Sequence, residues 1–143
     1  MAWTSAISRP TRWCCCARAA IPLRASGASI LRACLEYDMV GLNRGSALLE
    51  LTSRAAEQAG RPLRLRIQVR SFDAMCQMIA ADLGVGVLPQ AVCRAQAKAL
   101  GLHMVGLSDA WASRRLLLAT RSGVPLSIAA RLLGEHLRQA GVP

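Results

Sequence analysis

The chain has 143 residues, which is enough for one domain with a single core. Hydrophobic residues make up 53% of it, which excludes disorder of the whole chain, and only 3% are aromatic, so its core must be aliphatic. The formal net charge is +10, carried almost entirely by arginines. Because these arginines are scattered rather than clustered, they do not indicate a nucleic-acid surface on the chain itself.

Targeting signals are also weak. The sequence contains no run close to the roughly 20 apolar residues that a membrane-spanning helix needs. Residues Met1–Pro10 do not combine a basic region with a following apolar one, as a secretory signal would. We therefore expect a cytoplasmic protein without a membrane partner.

The first 34 residues predict no clear fold, and their most unusual stretch is "TRWCCCARAAIPL", Thr11–Leu23. Adjacent cysteines cannot easily bridge one another, and the zinc spacing C-x-x-C is absent, with His103 and His136 in unrelated segments. Cys76 and Cys93 fall on apolar helix faces, where cysteine is usually an inert packing residue. We expect no disulfide framework, no metal and no cofactor.

Regular elements begin after Leu35. A short strand is predicted at Tyr37–Leu42, followed by the turn Asn43-Arg44-Gly45. Ser46 is a plausible N-cap of a helix that ends at Gly60-Arg61-Pro62. The alternation of apolar and polar residues over 63–69 then predicts a half-buried strand.

The next segments repeat this alternation of helix and strand. Ser71 is expected to cap a helix, with Asp73 in its first turn, where the helix dipole favours an anion. A strand over 85–88, a helix over 91–100 and a strand over 102–107 follow. The buried stripe of the Ser71 helix is predicted to be Phe72, Met75, Cys76, Ile79 and Ala80.

The last elements are a strand and a helix. Residues 114–120 are almost all apolar, which predicts a strand buried on both faces. The final helix is predicted at 127–140, with the inward side chains Ile128, Leu132, Leu133 and Leu137. The element order predicts an α/β fold with a parallel or mixed sheet and helices on both faces.

The sequence holds little that could support catalysis. A Ser/His/Asp set could be assembled from Ser71, His103 and Asp73, but almost any sequence permits such a set, and the established catalytic motifs are absent. We therefore predict that the chain is not an enzyme.

Helix N-termini are the better candidates for binding. Ser46 and Ser71 each open a helix just beyond a strand, and ligands of open α/β sheets bind outside the carboxyl ends of strands. Backbone amides and the positive end of the helix dipole there suit a carboxylate. The alternative is that both serines are plain caps, each stabilising its helix by about 1 kcal/mol.

Two segments carry a resemblance to a known family: "VRSFDAMCQMIAADLGVGVLP", a helix running into a strand that ends in Leu-Pro, and "WASRRLLLATR". Over roughly residues 35–139 the sequence resembles the effector-binding domain of LysR-type transcriptional regulators. The resemblance implies a fold like a type 2 periplasmic binding protein, with a small metabolite between two α/β subdomains. Its binding would change how an oligomer holds DNA.

Matching by position implies specific domains and site residues. Residues 1–34 would be an atypical leader, 35–108 the complete second subdomain, and 109–143 the crossover strand and C-terminal helix of a partial first subdomain. Ser46 and Ser71, with Gly45 and Phe72 beside them, would contact the effector. Asp82 stands where the family usually has glycine, just after a helix.

The resemblance also implies missing parts. The winged helix-turn-helix and the first half of the first subdomain have no counterpart before residue 35, so DNA would be reached only through a missing N-terminal domain. Expected partners are a small-molecule effector such as a carboxylate, and other copies or full-length regulator subunits. The alternatives are a transporter's solute-binding protein, or a non-functional or dominant-negative regulator fragment.

A frameshift would explain the cysteine triplet. Read one nucleotide earlier, the codons of Trp13–Cys16 become Leu, Met or Val followed by Val-Leu-Leu, a normal buried strand. Our interpretation is that roughly residues 11–30 are translated out of frame and have no function. The alternative is a genuine, divergent leader.

Overall fold

The computed structural model describes residues 3–18 and 30–140. It divides into two compact units, one of Arg12–Ser113 and one that combines Met1–Thr11 with Arg114–Pro143. The expected ranges 1–34, 35–108 and 109–143 stay a prediction, and a long strand occupies part of the expected leader. The section of that leader at residues 19–29 lies outside the described residues.

The long strand β1 (Trp3–Ala17) belongs to both units: residues up to Thr11 lie in the smaller unit, and residues from Arg12 are central to the sheet of the larger unit. Its second half pairs antiparallel with β4 (Gly86–Pro89) on one side and β5 (His103–Gly106) on the other, with Cys15 opposite Val87 and Val105. The expectation of no clear fold here differs from the structure, because Trp-Cys-Cys-Cys is apolar enough to fill a strand buried on both faces.

A second, parallel pair consists of β2 (Met39–Leu42) and β3 (Leu65–Val69). It connects to β4 through an isolated parallel bridge between Met39 and Val85, and the Val40 amide donates to the Val85 carbonyl at 2.7 Å. The mixed pairing agrees with the predicted mixed α/β sheet. β3 alternates between half-buried and exposed residues as predicted.

Helices pack on both faces of the larger unit: α1 (Ile30–Cys34), α2 (Ala47–Gln58), α3 (Phe72–Ala80) and α4 (Gln90–Leu100). Because successive strand residues point to opposite faces, the cysteines of β1 separate between two core clusters. Cys15 packs in one with residues of α1 and α2, including Leu31, Cys34 and Ala55. Cys14 and Cys16 pack in the other with Met75, Cys76, Ile79 and Cys93 of α3 and α4.

Turn chemistry follows the predictions closely. Ser46 and Ser71 are the N-caps of α2 and α3, and Gly101 ends α4 with a left-handed φ of 64°. Asp82 adopts a φ of 62° directly after α3, at the position where the resemblance implied glycine. This conformation costs a residue with a Cβ about 1 kcal/mol or more.

The smaller unit contains β6 (Ser113–Arg121), which pairs with β1, and α5 (Ile128–Ala140). The prediction that its strand is buried on both faces is wrong, since Leu117 is 62% exposed. The inward orientation predicted for the last helix is also wrong: Ile128, Leu132, Leu133 and Leu137 are 70%, 57%, 58% and 40% exposed. Their apolar pattern was correctly recognised, but within the described residues no layer covers this face.

Across the described ranges, no helix is long and apolar enough to cross a bilayer.

Candidate functional site

The carboxyl ends of β2 and β3 form one edge of the larger unit. Leu42 and Val69 are paired in register at the ends of these parallel strands, and the Asn43 amide donates to the Val69 carbonyl at 2.9 Å. From the ends of β2 and β3, the polypeptide continues directly into α2 and α3, respectively. The structure therefore brings the N-termini that follow Ser46 and Ser71 to the same edge of the sheet.

Both serine hydroxyls cap their helices. The Ser46 Oγ accepts from the Leu49 amide at 3.3 Å, and the Ser71 Oγ accepts from the Ala74 amide at 3.2 Å. Each hydroxyl keeps its own proton for donation to another acceptor. The first amides of each helix precede the first intrahelical hydrogen bond and point out of the N-terminus, where they favour an anion.

Gly45 and Phe72, the other predicted contacts, differ in their surroundings. Gly45 is exposed with a φ of 83°, and no heavy atom lies within 4 Å of where its Cβ would be, so a ligand could approach the backbone closely. Phe72 is half-buried and packs against both core clusters. Its ring therefore contributes to the core as well as lying at the start of α3.

The charges at this edge are mixed. Exposed Arg44 and Arg70 precede the two caps, while Glu50 and Asp73 occupy the first turns of α2 and α3. Asp73 accepts a hydrogen bond from the Gln96 amide group. An open depression of about 430 Å³ lies on the α2 side and is lined by Arg44, Gly45, Leu49, Glu50, Ser53 and Arg54.

The residues considered for a Ser/His/Asp set are engaged in other ways. The Ser71 hydroxyl accepts from its own helix, and Asp73 is bonded to Gln96. His103 is an exposed residue at the start of β5. The groups that the edge presents are therefore backbone amides and hydroxyls, the donors that the sequence analysis expected a ligand to contact.

A second constellation was missed by the sequence analysis. Cys14 and Cys16 lie on the same face of β1 with their Sγ atoms 3.7 Å apart, and Cys93 of α4 is joined to Cys16 as a disulfide. The Sγ atoms of all three lie within 4.8 Å of one another. The predictions of no disulfide and of an inert Cys93 are corrected: the C-x-C spacing on a strand was readable, but its partner 77 residues away was not.

The buried thiols have raised pKa values. Burial raises the pKa of Cys14 to about 12, with a further contribution from neighbouring Cys76 and an opposing one from Arg94. A hydrogen bond with Cys34, together with burial, raises the pKa of Cys15 well above its usual value. Burial and the charge of Asp73 also raise the pKa of Cys76. These cysteines are therefore thiols rather than thiolates at neutral pH.

The comparisons with known proteins agree on one family. The sequence matches the LysR substrate binding domain family over residues 7–141. The structure is similar to the effector binding domain of QuiR in complex with shikimate, with a TM-score of 0.77 and 14% identity. It is similar at TM-score 0.78 and 19% identity to the Synechocystis PCC6803 CcmR regulatory domain in complex with 2-PG. No curated protein matches the sequence.

Coverage is unequal in these structural matches. The match to the QuiR domain covers 97% of this chain but only 65% of the QuiR chain. The match to the CcmR domain covers 98% of this chain and 66% of the CcmR chain. A third similar structure is the regulatory domain of MetR, a LysR family regulator from N. meningitidis, with 13% identity and a TM-score of 0.74. That match covers 99% of this chain and 66% of the MetR chain. At such identities the likeness shows the fold, which is the expected periplasmic-binding-protein-like α/β fold. Because the family match includes residues 7–141 of 143, the chain belongs to the LysR substrate binding domain family.

Proposed function

We propose that this chain is the effector-sensing portion of a LysR-type bacterial transcriptional regulator and works in the cytoplasm by binding, not by catalysis. The observation that carries the proposal is the shared edge where α2 and α3 begin, beyond the paired ends of β2 and β3. Two helix N-termini at one edge offer more amide donors to a single anion than either would alone.

The ligand is a small carboxylate, on this proposal. Its oxygens would accept from the first amides of α2 and α3 and from the hydroxyls of Ser46 and Ser71, while Gly45 leaves room for the approach. Phe72 would contribute apolar contact at the start of α3. The similar QuiR and CcmR domains were solved with shikimate and 2-PG, which supports a small polar ligand.

On this proposal, the chain would act together with other protein subunits. The chain spans 65% of the QuiR domain, and we assign residues 35–108 to the second subdomain and 109–143 to part of the first. The rest of the first subdomain would supply the opposite wall of the cleft. DNA would be bound by a separate N-terminal domain of the regulator, and the partners would be other copies or full-length regulator subunits.

Equilibrium dialysis of the purified chain against small carboxylates, with shikimate in the set, tests this function. Ser46→Gly and Ser71→Gly are suitable variants because glycine is a tolerated N-cap, at a cost of a few tenths of a kcal/mol. The matched control is Ser127→Gly, since Ser127 caps α5 in the same way, accepting from the Ala130 amide at 3.2 Å. We expect about tenfold weaker binding in the first two variants, which corresponds to roughly 1.4 kcal/mol, and no change in the third.

If all three variants bind the carboxylate as tightly as the wild-type chain, the proposed site at Ser46 and Ser71 is wrong. The absence of binding for every carboxylate would contradict binding of the ligand by this edge alone.

The exposed apolar face of the smaller unit favours a second function, that of an interaction fragment. Contiguous exposed apolar residues mark association surfaces, and a groove of about 240 Å³ between β6 and α5 is lined partly by Leu118, Leu126 and Leu133. The fragment would pair with full-length regulators and act as a dominant negative. Size-exclusion chromatography with an intact homologous regulator should then show mixed oligomers, and separate elution would contradict this function.

A further inference from the structure

The thiol cluster has no part in the proposed effector site. Cys14 and Cys16 are two residues apart on β1 and therefore project from the same face of the sheet, toward α3 and α4. Cys93 reaches them from the first turn of α4. All three residues are 0% exposed, and all belong to the larger unit.

The distances suit a metal ion held by sulfur. Zinc–thiolate bonds of about 2.3 Å in a tetrahedral arrangement place neighbouring sulfur atoms about 3.8 Å apart. The Cys14 and Cys16 Sγ atoms are 3.7 Å apart, and the Cys93 Sγ lies within 4.8 Å of both. Cys16 and Cys93 are bonded to each other, so the site forms only after this disulfide is reduced.

A direct bond between Cys16 and Cys93 fits the backbone less well. Their Cα atoms are 7.1 Å apart, whereas disulfides usually span about 4.4–6.8 Å. Once the disulfide is reduced, an ion that bridges the two sulfur atoms would hold them further apart than a disulfide does, which suits the wide Cα spacing. Reduced thiols are also the normal state of cytoplasmic cysteines.

The surroundings restrict which ion could bind. Cys76 of α3 lies in the same core cluster but outside the group of three neighbouring sulfur atoms. Arg94 follows Cys93 directly and is close enough to act on Cys14, which offsets part of the negative charge of several thiolates. A buried site whose side-chain ligands are all sulfur selects soft ions over Mg²⁺ or Ca²⁺, although the Leu88 carbonyl oxygen also lies 3.5 Å from Cys14 Sγ.

We propose that the reduced protein binds one soft, thiolate-preferring metal ion, Zn²⁺ or Cu⁺, through Cys14, Cys16 and Cys93. A small-molecule thiol of the glutathione class first reduces the Cys16–Cys93 disulfide, supplying two electrons and two protons and becoming a disulfide itself. Each of the three thiols then releases its proton as its sulfur coordinates. The ion connects β1 to α4 through Cys16 and Cys93, which are 77 residues apart in the sequence. It would thus stabilise the larger unit independently of any effector.

The first test measures metal binding to the whole chain, reduced and kept without oxygen. Zn²⁺ and Cu⁺ are added separately in competition with a chromophoric chelator, and native mass spectrometry gives the stoichiometry. We expect one ion per chain, and at least tenfold weaker binding in Cys14→Ala and Cys93→Ala. Cys15→Ala and Cys34→Ala are matched controls, because these cysteines are equally buried but lie in the other core cluster.

Cys76→Ala is a further control. Cys76 packs in the same core cluster but lies outside the group of three sulfur atoms, so its removal should leave the binding of both ions unchanged. Sub-stoichiometric binding of both ions, or equal losses in the test variants and the controls, would overturn the site.

A second measurement avoids variants that fail to fold. The wild-type chain is alkylated during urea unfolding, with and without metal, and the modified cysteines are identified by mass spectrometry. Metal should slow the alkylation of Cys14, Cys16 and Cys93 several-fold more than that of Cys15 and Cys34. Equal protection of all five cysteines, or of none, would refute the proposal.

Discussion

Gly84 occupies a position that only glycine can fill, and Gly84→Ala should strongly destabilise the larger unit. Its φ is 149°, and a Cβ there would collide with the carbonyl oxygen of Asp38 and lie 3.1 Å from its carbonyl carbon. That same carbonyl accepts from the Val85 amide at 2.9 Å, next to the bridge that connects β2 to β4. The colliding atoms belong to the backbone and cannot rotate away.

The expected cost combines two effects. A side chain in this backbone region costs about 1–3 kcal/mol, and loss of the Val85 hydrogen bond adds about 1 kcal/mol. We expect Gly84→Ala to lower the free energy of unfolding by about 2–4 kcal/mol, which corresponds to a Tm decrease of roughly 10 °C for a chain of this size.

Thermal unfolding followed by circular dichroism, at one fixed protein concentration, measures this decrease. The matched control is Gly106→Ala at the end of β5, where φ lies outside the left-handed range and, apart from the adjoining residues, no heavy atom lies within 4 Å of an added Cβ. Gly106→Ala should leave the Tm within about 2 °C of wild type, since it adds no strain. A Gly84→Ala variant as stable as Gly106→Ala would refute the packing of β4 against the Asp38 carbonyl.

Three further outcomes are expected. Asp82→Gly should raise the free energy of unfolding by about 0.5–1 kcal/mol, because glycine adopts the left-handed φ of 62° without strain; a lower urea midpoint would contradict this. Leu132→Glu should reduce self-association, measured by sedimentation velocity, because Leu132 is 57% exposed on an apolar face. The control Gln139→Glu adds the same charge to α5 and should not reduce self-association. Equal effects of the two substitutions would rule out this face as the association surface. Finally, the out-of-frame interpretation of residues 11–30 predicts that no tryptic peptide Trp13–Arg18 exists in the native protein, whereas the metal site requires it; mass spectrometry of the endogenous chain decides between them.

Local signals predicted most of the larger unit. Ser46, Ser71 and Gly101 each act within a few residues of their own position, so caps and turns could be read directly. The half-buried pattern of β3 was equally local. The resemblance through "FDAMCQMIAADLGVGVLP" then indicated the family, which the match over residues 7–141 confirmed.

What failed depended on neighbours that are distant in sequence. An apolar pattern says that Leu117 and Ile128 would be buried if a layer covered them, but not whether that layer is present. The cysteines of β1 were misjudged because their packing partners come from α1, α3 and α4. Cys93 could not be paired with Cys16 without the sheet that aligns β1 beside β4.

The edge formed by α2 and α3 was predicted only in part. Ser46 and Ser71 were named correctly as caps, and the parallel pairing of Leu42 with Val69 explains why both helices begin at one edge. Phe72 was named as a contact from its position beside Ser71, although its half-buried ring packs on the core clusters.

The most direct test of the account maps a bound carboxylate onto individual amides. The isotopically labelled chain is titrated with the tightest-binding carboxylate from dialysis, and backbone amide shifts are followed by NMR. The account predicts that the largest shifts fall on the first amides of α2 and α3, at Ala47, Leu48, Phe72 and Asp73, while the N-terminus of α5 is unaffected. Shifts confined to α5, or spread evenly over exposed arginines, would contradict a binding edge at Ser46 and Ser71.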